Sequence, residues 1–429
     1  MKRSFKLVLT LGLLGMLILN LSVYAAPQTT LRFMWWGSDT RHRATLNAIE
    51  QYMKENPNVK ISGEYSGFNG YQQKLLTQLA GNTAADIIQI DQPWVVDLMS
   101  QGDLFADMRK LKDLQLSGFD KNLLANQCSY KGKLVGLPTG LNGLIFIANS
   151  DFLAKHKISP STKWDWDNLL EIGTKVHRDN PKNYLVTGGS MLHTEYLIKM
   201  HVKQHTGIQQ WVNDDYTIGF TKDSLTKAFA YYQKLLQTGT MPPLEESILF
   251  NEKEDQDPKW ANGEIGMVQN WVSTVLQYNL NGRLNVTPMP VPMLKGAKNS
   301  GIIVRPSQLL VINSKSPNVR EAAKFVSWFF NNPNAILALK SERGIPPTKA
   351  GVEVLAKNQL LDPNMANGIN MAVKNGGIPE NGLTSNKELI TIFDDYIQKI
   401  GFKRVTPEEA AEMMIRDFKA KLVELKNQK

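Results

Sequence analysis

Thr30-Leu-Arg-Phe-Met-Trp-Trp36 is a run of β-formers that stops at Gly37, and the segments after it set the class of the chain. Arg43 to Lys54 carries apolar residues at helical spacing (Leu46, Ile49, Tyr52, Met53) and stops before Asn56-Pro57. Val59-Lys-Ile61 reads as a short strand, and Tyr71 to Ala80 as a helix closed by Gly81-Asn82. Ala85-Asp-Ile-Ile-Gln-Ile-Asp91 reads as a buried strand, and Pro93 to Ser100 as a helix ending at Gly102. Strand and helix in alternation predict parallel strands joined by right-handed crossovers, hence an α/β sheet with helices on both faces.

Before this stretch lies a segment of another kind. Lys2, Arg3 and Lys6 precede an apolar run from Leu7 to Leu21, and Ser22-Val-Tyr-Ala-Ala26 ends in small residues. The run is shorter than the ~20 residues needed to span a bilayer, so residues 1–26 are expected to be a cleaved secretory signal. Its removal takes three cations and no acid, which lowers the formal charge from +9 to +6. A soluble periplasmic protein is expected. The single cysteine, Cys128, excludes an intrachain disulfide and a Cys-rich zinc site. A composition of 42% hydrophobic and 21% charged residues is that of a globular chain, and 429 residues suggest two or three domains.

Beyond the stretch, Lys133 to Asn149 is rich in β-formers. Residues 150–290 then read as mostly helical, broken at Gly188-Gly189, Gly207, Gly239 and Pro242-Pro243. Gly301 to Asn313 restores an apolar β-run, and Glu321 to Phe330 and Pro333 to Lys340 restore helices. The expected organisation is a first lobe over 27–148 and 301–350, and a second over 149–300 and 351–429. Chain crossings near 146–150 and 300–314 would make a hinge beside a cleft, where ligands bind.

Five segments carry a family likeness. They are Tyr130-Lys-Gly-Lys-Leu-Val-Gly-Leu-Pro138 with Ile145-Phe-Ile-Ala-Asn149; Lys163-Trp-Asp-Trp-Asp-Asn-Leu-Leu170; Trp260-Ala-Asn-Gly-Glu-Ile-Gly-Met267; Arg320-Glu-Ala-Ala-Lys-Phe-Val-Ser-Trp-Phe-Phe-Asn-Asn-Pro333; and Gly344-Ile-Pro-Pro347. In this order the chain resembles the extracellular solute-binding proteins of ATP-driven sugar importers, the group that includes maltose-binding protein. Within it the likeness is to the oligogalacturonide-binding members. The resemblance implies the type II periplasmic binding protein fold, α/β with mixed sheets flanked by helices, that closes on ligand like a trap. It also implies a membrane permease as partner and a monomer in solution.

A sugar cleft needs aromatic rings against apolar sugar faces and planar polar groups for hydroxyls. A uronic acid also needs cations, best supplied by Arg. Trp35, Trp36 and Ser38 lie at the C-terminal edge of the first strand, and strand alternation sends one Trp to the core and frees the other for the cleft. Arg41, His42 and Arg43 start a helix where cations oppose its dipole, a placement that suits an anion. Tyr71 closes the Gly-broken aromatic loop Tyr65 to Tyr71, a region where the family often touches sugar. Gln89, Asp91, Gln92 and Trp94 end a buried strand, and Asn142 precedes the hinge. In the second lobe the candidates are His193, Lys199, Asn270 and Trp271, the last being the leading stacking ring. Arg305 and Ser307 interrupt an apolar strand, and Arg343 precedes Gly344. Trp164 and Trp166 read as packing residues.

No Gly-x-Ser-x-Gly, His-Glu-x-x-His or P-loop pattern occurs. His201 and His205 lie four apart without a third ligand, so neither metal nor cofactor is expected. A charge of +6 on an exported chain does not point to nucleic acid. A binder of neutral oligosaccharides, in which Arg305 and Arg41 pair internally, and a secreted polysaccharide-cleaving enzyme remain the competing readings.

Overall fold

The computed structural model describes residues 28–427 apart from 69, 252, 281 and 379, so the expected signal segment lies outside the described residues. In chain order the strands are β1 (Thr29–Trp36), β2 (Val59–Ser66), β3 (Ile87–Ile90), β4 (Ser129–Tyr130), β5 (Lys133–Leu134), β6 (Gly136–Pro138), β7 (Leu141–Asn149), β8 (Tyr184–Val186), β9 (Ile265–Trp271), β10 (Val286–Met289), β11 (Val304–Pro306) and β12 (Leu309–Ile312). They form two mixed five-stranded sheets and one small hairpin. The first sheet runs β2-β1-β3-β12-β6, with β2, β1 and β3 parallel and β12 antiparallel to β3 and β6. The second runs β10-β7-β9-β8, with β11 also on β7.

Local chemistry explains the element ends. Ser38 caps the helix Asp39–Glu55 by accepting from the Arg41 N–H, so the helix begins four residues earlier than the apolar periodicity indicates. Asp165 and Asn168 form a capping box that starts Trp166–Asp179. Trp164 and Trp166 are buried in the second lobe, as the sequence indicates, and the Trp166 Nε1–H donates to Gln204 Oε1 at 2.9 Å.

Each sheet has its own core. In the first lobe, Phe33, Ile87, Ile88, Leu310 and Val311 pack with Phe325 and Phe329 of the helix Val319–Asn331. In the second, Phe146, Met267 and Leu185 pack beneath the helices Met191–Thr206 and Lys222–Gln237. The C-terminal helices Lys387–Gly401 and Pro407–Asn427 join this core through Phe393, which stacks on Trp211 at 5.4 Å, and through Phe418.

Two organisational expectations change. Strand β7 pairs with β9 and β10, so residues 141–148 belong to the second sheet and the first crossing lies at Thr139–Leu141 instead of 146–150. Likewise β11 and β12 are one apolar run in sequence but sit in different sheets, divided at Ser307-Gln308. Strands β8, β9 and β10 fall inside the stretch read as helical. Their burial is nearly continuous, so no alternation marks them as strands.

The crossings touch. Thr139 N–H donates to Gln308 O at 2.8 Å, Ser307 N–H to Gly140 O at 2.8 Å, and Leu141 N–H to Ile345 O at 2.9 Å. A third segment, Gly344-Ile345, therefore joins the hinge. A Cβ on Gly140 would collide with Arg343 O and lie 2.9 Å from Gly344 Cα, and the facing atoms are backbone. Gly140→Ala is expected to lower stability by about 1–3 kcal/mol, the usual cost of overpacking. Gly67→Ala, whose Cβ would meet nothing within 4 Å, is expected to stay within about 0.5 kcal/mol of the parent. Urea unfolding of both variants checks this, and equal midpoints would contradict the hinge packing.

Candidate ligand-binding cleft

Beside the hinge lies a cavity of about 460 Å³ with walls from both lobes, within the size range of small-molecule sites. Strand β1 and the loop after β2 supply Trp36 and Phe68, and the turn after β3 supplies Asp91. The second lobe supplies Asn142 from β7, Trp271 from the end of β9, and Arg305 from β11. The crossing segments add Ser307, Gln308 and Glu342.

Both tryptophans of β1 are buried in the first-lobe core, Trp36 with an edge (7% exposed) on the cavity. Trp35 is fully buried, and its Nε1–H donates to His42 Nδ1 at 3.1 Å. Trp36 lines the cavity and stands in an aromatic group with Phe68 (5.6 Å), Trp94 (5.4 Å) and Tyr71 (4.9 Å). Trp94 backs Trp36 and does not line the cavity. Tyr71 is buried and its hydroxyl donates to Gln89 O at 2.8 Å, so the loop offers Phe68, three residues earlier, to the cavity.

Arg305 lines the cavity from the second lobe. Its guanidinium lies 4.8 Å from the centre of the Trp271 ring and has no carboxylate within 4 Å among the described residues. Tyr196 also packs edge-on against Trp271, at 5.9 Å. Asn142 fixes the turn after β9: its Oδ1 accepts from Ser273 N–H at 3.1 Å, and its Nδ2 donates to Ser273 Oγ at 2.8 Å. The buried Ser307 hydroxyl is without a partner among the described residues. Asp91 caps the turn after β3, and burial raises its carboxyl pKa against the opposing pull of Arg305. Arg41 lines the cavity with its Nε–H on Glu342 O at 3.0 Å, and burial lowers its pKa while Glu342 opposes the shift.

Several candidates are engaged elsewhere. Gln89 lies wholly inside the first lobe, where its Nε2 donates to Trp36 O at 3.2 Å and its Oε1 accepts from Arg343. The polar strand residue thus meets its bonding needs in the core. Arg343 touches the cavity, but its guanidinium turns inward to Gln89 and to Thr45 Oγ1 (2.8 Å), between the rings of Phe33 and Phe329. Burial without a carboxylate lowers its pKa well below the ordinary arginine value. Ser38 is spent as a helix cap. Asn270 is buried, its Nδ2 on Tyr278 Oη (2.8 Å) and its Oδ1 on Trp271 N–H (2.7 Å). His193 faces the buried Glu254 at 3.2 Å. Gln92 lies on the far side of Arg305.

Lys199 belongs to a buried ionic group. It pairs with Glu195 at 2.5 Å and Glu380 at 3.7 Å, and Lys203 pairs with Glu380 at 2.5 Å. The two acids respond oppositely. Burial dominates at Glu195 and raises its pKa. Burial acts upward on Glu380 as well, but the two lysines overcome it and hold that carboxyl down to about 2. Phe68, Ser273, Leu276, Gln308, Ser341, Glu342 and Met365 line the cavity and are not marked as site residues by the sequence. Only Phe68 carries a signal there, as a member of the aromatic loop.

Known proteins share this architecture. The model of the family described as bacterial extracellular solute-binding protein matches residues 47–366. A putative binding protein of Brucella abortus is 23% identical over 215 residues, 50% of this chain and 51% of its own length, so the chain spans about half the length of the curated relatives it matches. Three solved structures are similar over nearly the whole chain. A periplasmic solute-binding protein from Pectobacterium atrosepticum is 26% identical, with TM-score 0.82 over 92% of this chain and 99% of that one. A periplasmic oligogalacturonide-binding protein from Yersinia enterocolitica, in complex with saturated digalacturonic acid, is 27% identical, with TM-score 0.78 over 92% and 99%. A de novo designed cysteine esterase shares the fold at 27% identity and TM-score 0.85 over 94% and 100%.

The Glu380 shift gives a pH test. A carboxylate whose folded pKa is about 2 instead of 4.5 contributes stability that is fully present above about pH 4.5 and is lost as pH falls toward 2. Glu380→Gln is expected to be less stable than the parent at pH 7 and to lose less on acidification from pH 5 to 2. Chemical denaturation across that range checks it; parallel pH profiles would contradict the pairing.

Proposed function

Because the chain belongs to the bacterial extracellular solute-binding protein family, we propose that it captures oligogalacturonides, the acidic oligosaccharides of pectin, between its lobes and delivers them to the membrane permease of an ATP-driven importer. The family supports an exported binding protein, and among the described residues no helix is long and apolar enough to cross a membrane. The observation that carries the ligand class is Arg305. It is held on the Trp271 ring at the cavity wall with no acid paired to it among the described residues. A guanidinium binds a carboxylate through two parallel hydrogen bonds, and an aromatic ring takes the apolar face of a pyranose. Arg41, half-buried on the same cavity, adds a second cation. Trp36 and Phe68 form the opposing aromatic wall. The Yersinia neighbour, similar in fold and 27% identical, was solved with digalacturonic acid. A neutral sugar would leave the Arg305 charge desolvated on closure without an anion, which is costly.

Binding draws the lobes together about the three crossings. The solution radius of gyration is therefore expected to fall at saturating ligand.

Calorimetric titration with di- and trigalacturonate, with maltotriose as the neutral control, tests the ligand class. One-to-one binding of the acids alone is expected, weakening as salt rises where the ion pair stays exposed. Arg305→Gln should weaken digalacturonate by about tenfold to a hundredfold, the loss of one charged hydrogen-bonded pair. Binding of maltotriose and silence of both acids would keep the transport assignment and reject this ligand.

A further inference from the structure

The cleft does not end at Arg305. The guanidinium also lines a neck of about 50 Å³, shared with Gln92, Gln127 and Glu380. Those three residues in turn line an outer compartment of about 560 Å³. The neck thus shares Arg305 with the main cavity and Gln92, Gln127 and Glu380 with the outer compartment, and both larger spaces take walls from the two lobes. Across the neck, Gln127 Nε2 of the first lobe donates to Val304 O of the second at 2.7 Å, and Tyr196, Ile303 and Ile378 also wall it. The neck is too small for a pyranose, so a chain reaches the outer compartment with the lobes parted, which breaks this bond between them.

The outer compartment offers the kinds of group a sugar needs. Val96 and Leu383 give it apolar wall, and Asn381 and Ser385 give it polar groups. Its aromatic and its cation come from the hairpin of β4 and β5, where Tyr130 and Lys131 stand together with Lys131 Nζ 5.3 Å from the Tyr130 ring centre. Lys131 and Gly132 both have positive φ, 45° and 79°, the geometry of a two-residue type I′ turn. That turn favours Asn or Gly at the Lys131 position, yet an exposed lysine occupies it. Arg109 holds the hairpin from below by donating to Gly132 O and Ser129 Oγ. Lys131 has no ion pair among the described residues, while the acids of the far wall are occupied: Glu380 by two lysines and Asp214 by Asn381 Nδ2 at 2.8 Å.

We propose that the outer compartment binds the third and later residues of the oligosaccharide, with Tyr130 against a sugar face and Lys131 facing its carboxylate. The protein then selects for chain length as well as charge. This proposal rests on the oligogalacturonide reading of the main cavity.

Calorimetry with di- and tetragalacturonate on the parent, Tyr130→Ala and Lys131→Gln tests it. The parent is expected to bind the tetramer about tenfold more tightly than the dimer. Each substitution should weaken the tetramer by about three- to tenfold, the scale of one aromatic or partly exposed charged contact, and leave the dimer within twofold. The Lys131→Gln loss should shrink at high salt. Lys131 is exposed, so Lys131→Gln should unfold near the parent temperature; Tyr130 packs partly against the first-lobe core, so Tyr130→Ala is titrated below its own unfolding transition and its dimer affinity serves as the control for folding. Equal affinity of the parent for dimer and tetramer, or substitutions that leave the tetramer unchanged, would overturn the length selection while the main-cavity reading stands. Silence with both sugars would reject the uronate ligand, and the proposal with it.

Discussion

Backbone lies on backbone at Gly140, where three chain segments cross between the lobes in hydrogen-bonded contact. The rest of the molecule depends on that approach. Adjacent crossings leave one narrow axis for relative motion, so each lobe must bury its own apolar surface, and each does. The cavity then forms where the two sheets present their strand ends to each other, next to the hinge. Gly344 complements the arrangement: its φ of +102° suits glycine, and a Cβ there would meet Ser307 Oγ at 2.5 Å.

The buried cations show how the protein leaves the Arg305 charge open to a ligand. Lys199 and Lys203 are matched by Glu195 and Glu380, which satisfies the requirement that buried charges be paired. Arg343 is accommodated without an acid, between two rings and on an amide and a hydroxyl, at the cost of a guanidinium pKa drawn well down by burial. Arg305 has neither solution. It stacks on Trp271 at the surface of the cavity and remains available to an anion. The lysine pair, Arg343 and Arg305 therefore have three fates near one cleft, and only the tertiary surroundings separate them.

The ionic group also shapes the cleft. Glu380 belongs to the segment that walls the outer compartment, and its bonds to Lys199 and Lys203 tie that wall to the helix Met191–Thr206. A lysine read as a ligand contact thus supports the cleft from behind.

By itself the sequence determined the α/β class, through helix and strand periods in the first hundred residues, and a two-lobed organisation, through the order of five family segments. It also placed Trp35 and Trp36 on opposite faces of β1, because side chains alternate along a strand. What it did not determine was partnership. Continuously buried strands such as β9 have no period to read, and β7 carries nothing that says which sheet it joins. Gln89 and Arg343 lie 254 positions apart, and each looks like a cleft residue until the other is seen to satisfy it. A polar side chain at a strand end is spelled the same whether its partner is a sugar or a distant residue of its own chain. Burial and hydrogen bonding are properties of the folded neighbourhood, and only the tertiary structure decided which cations were left for the cleft.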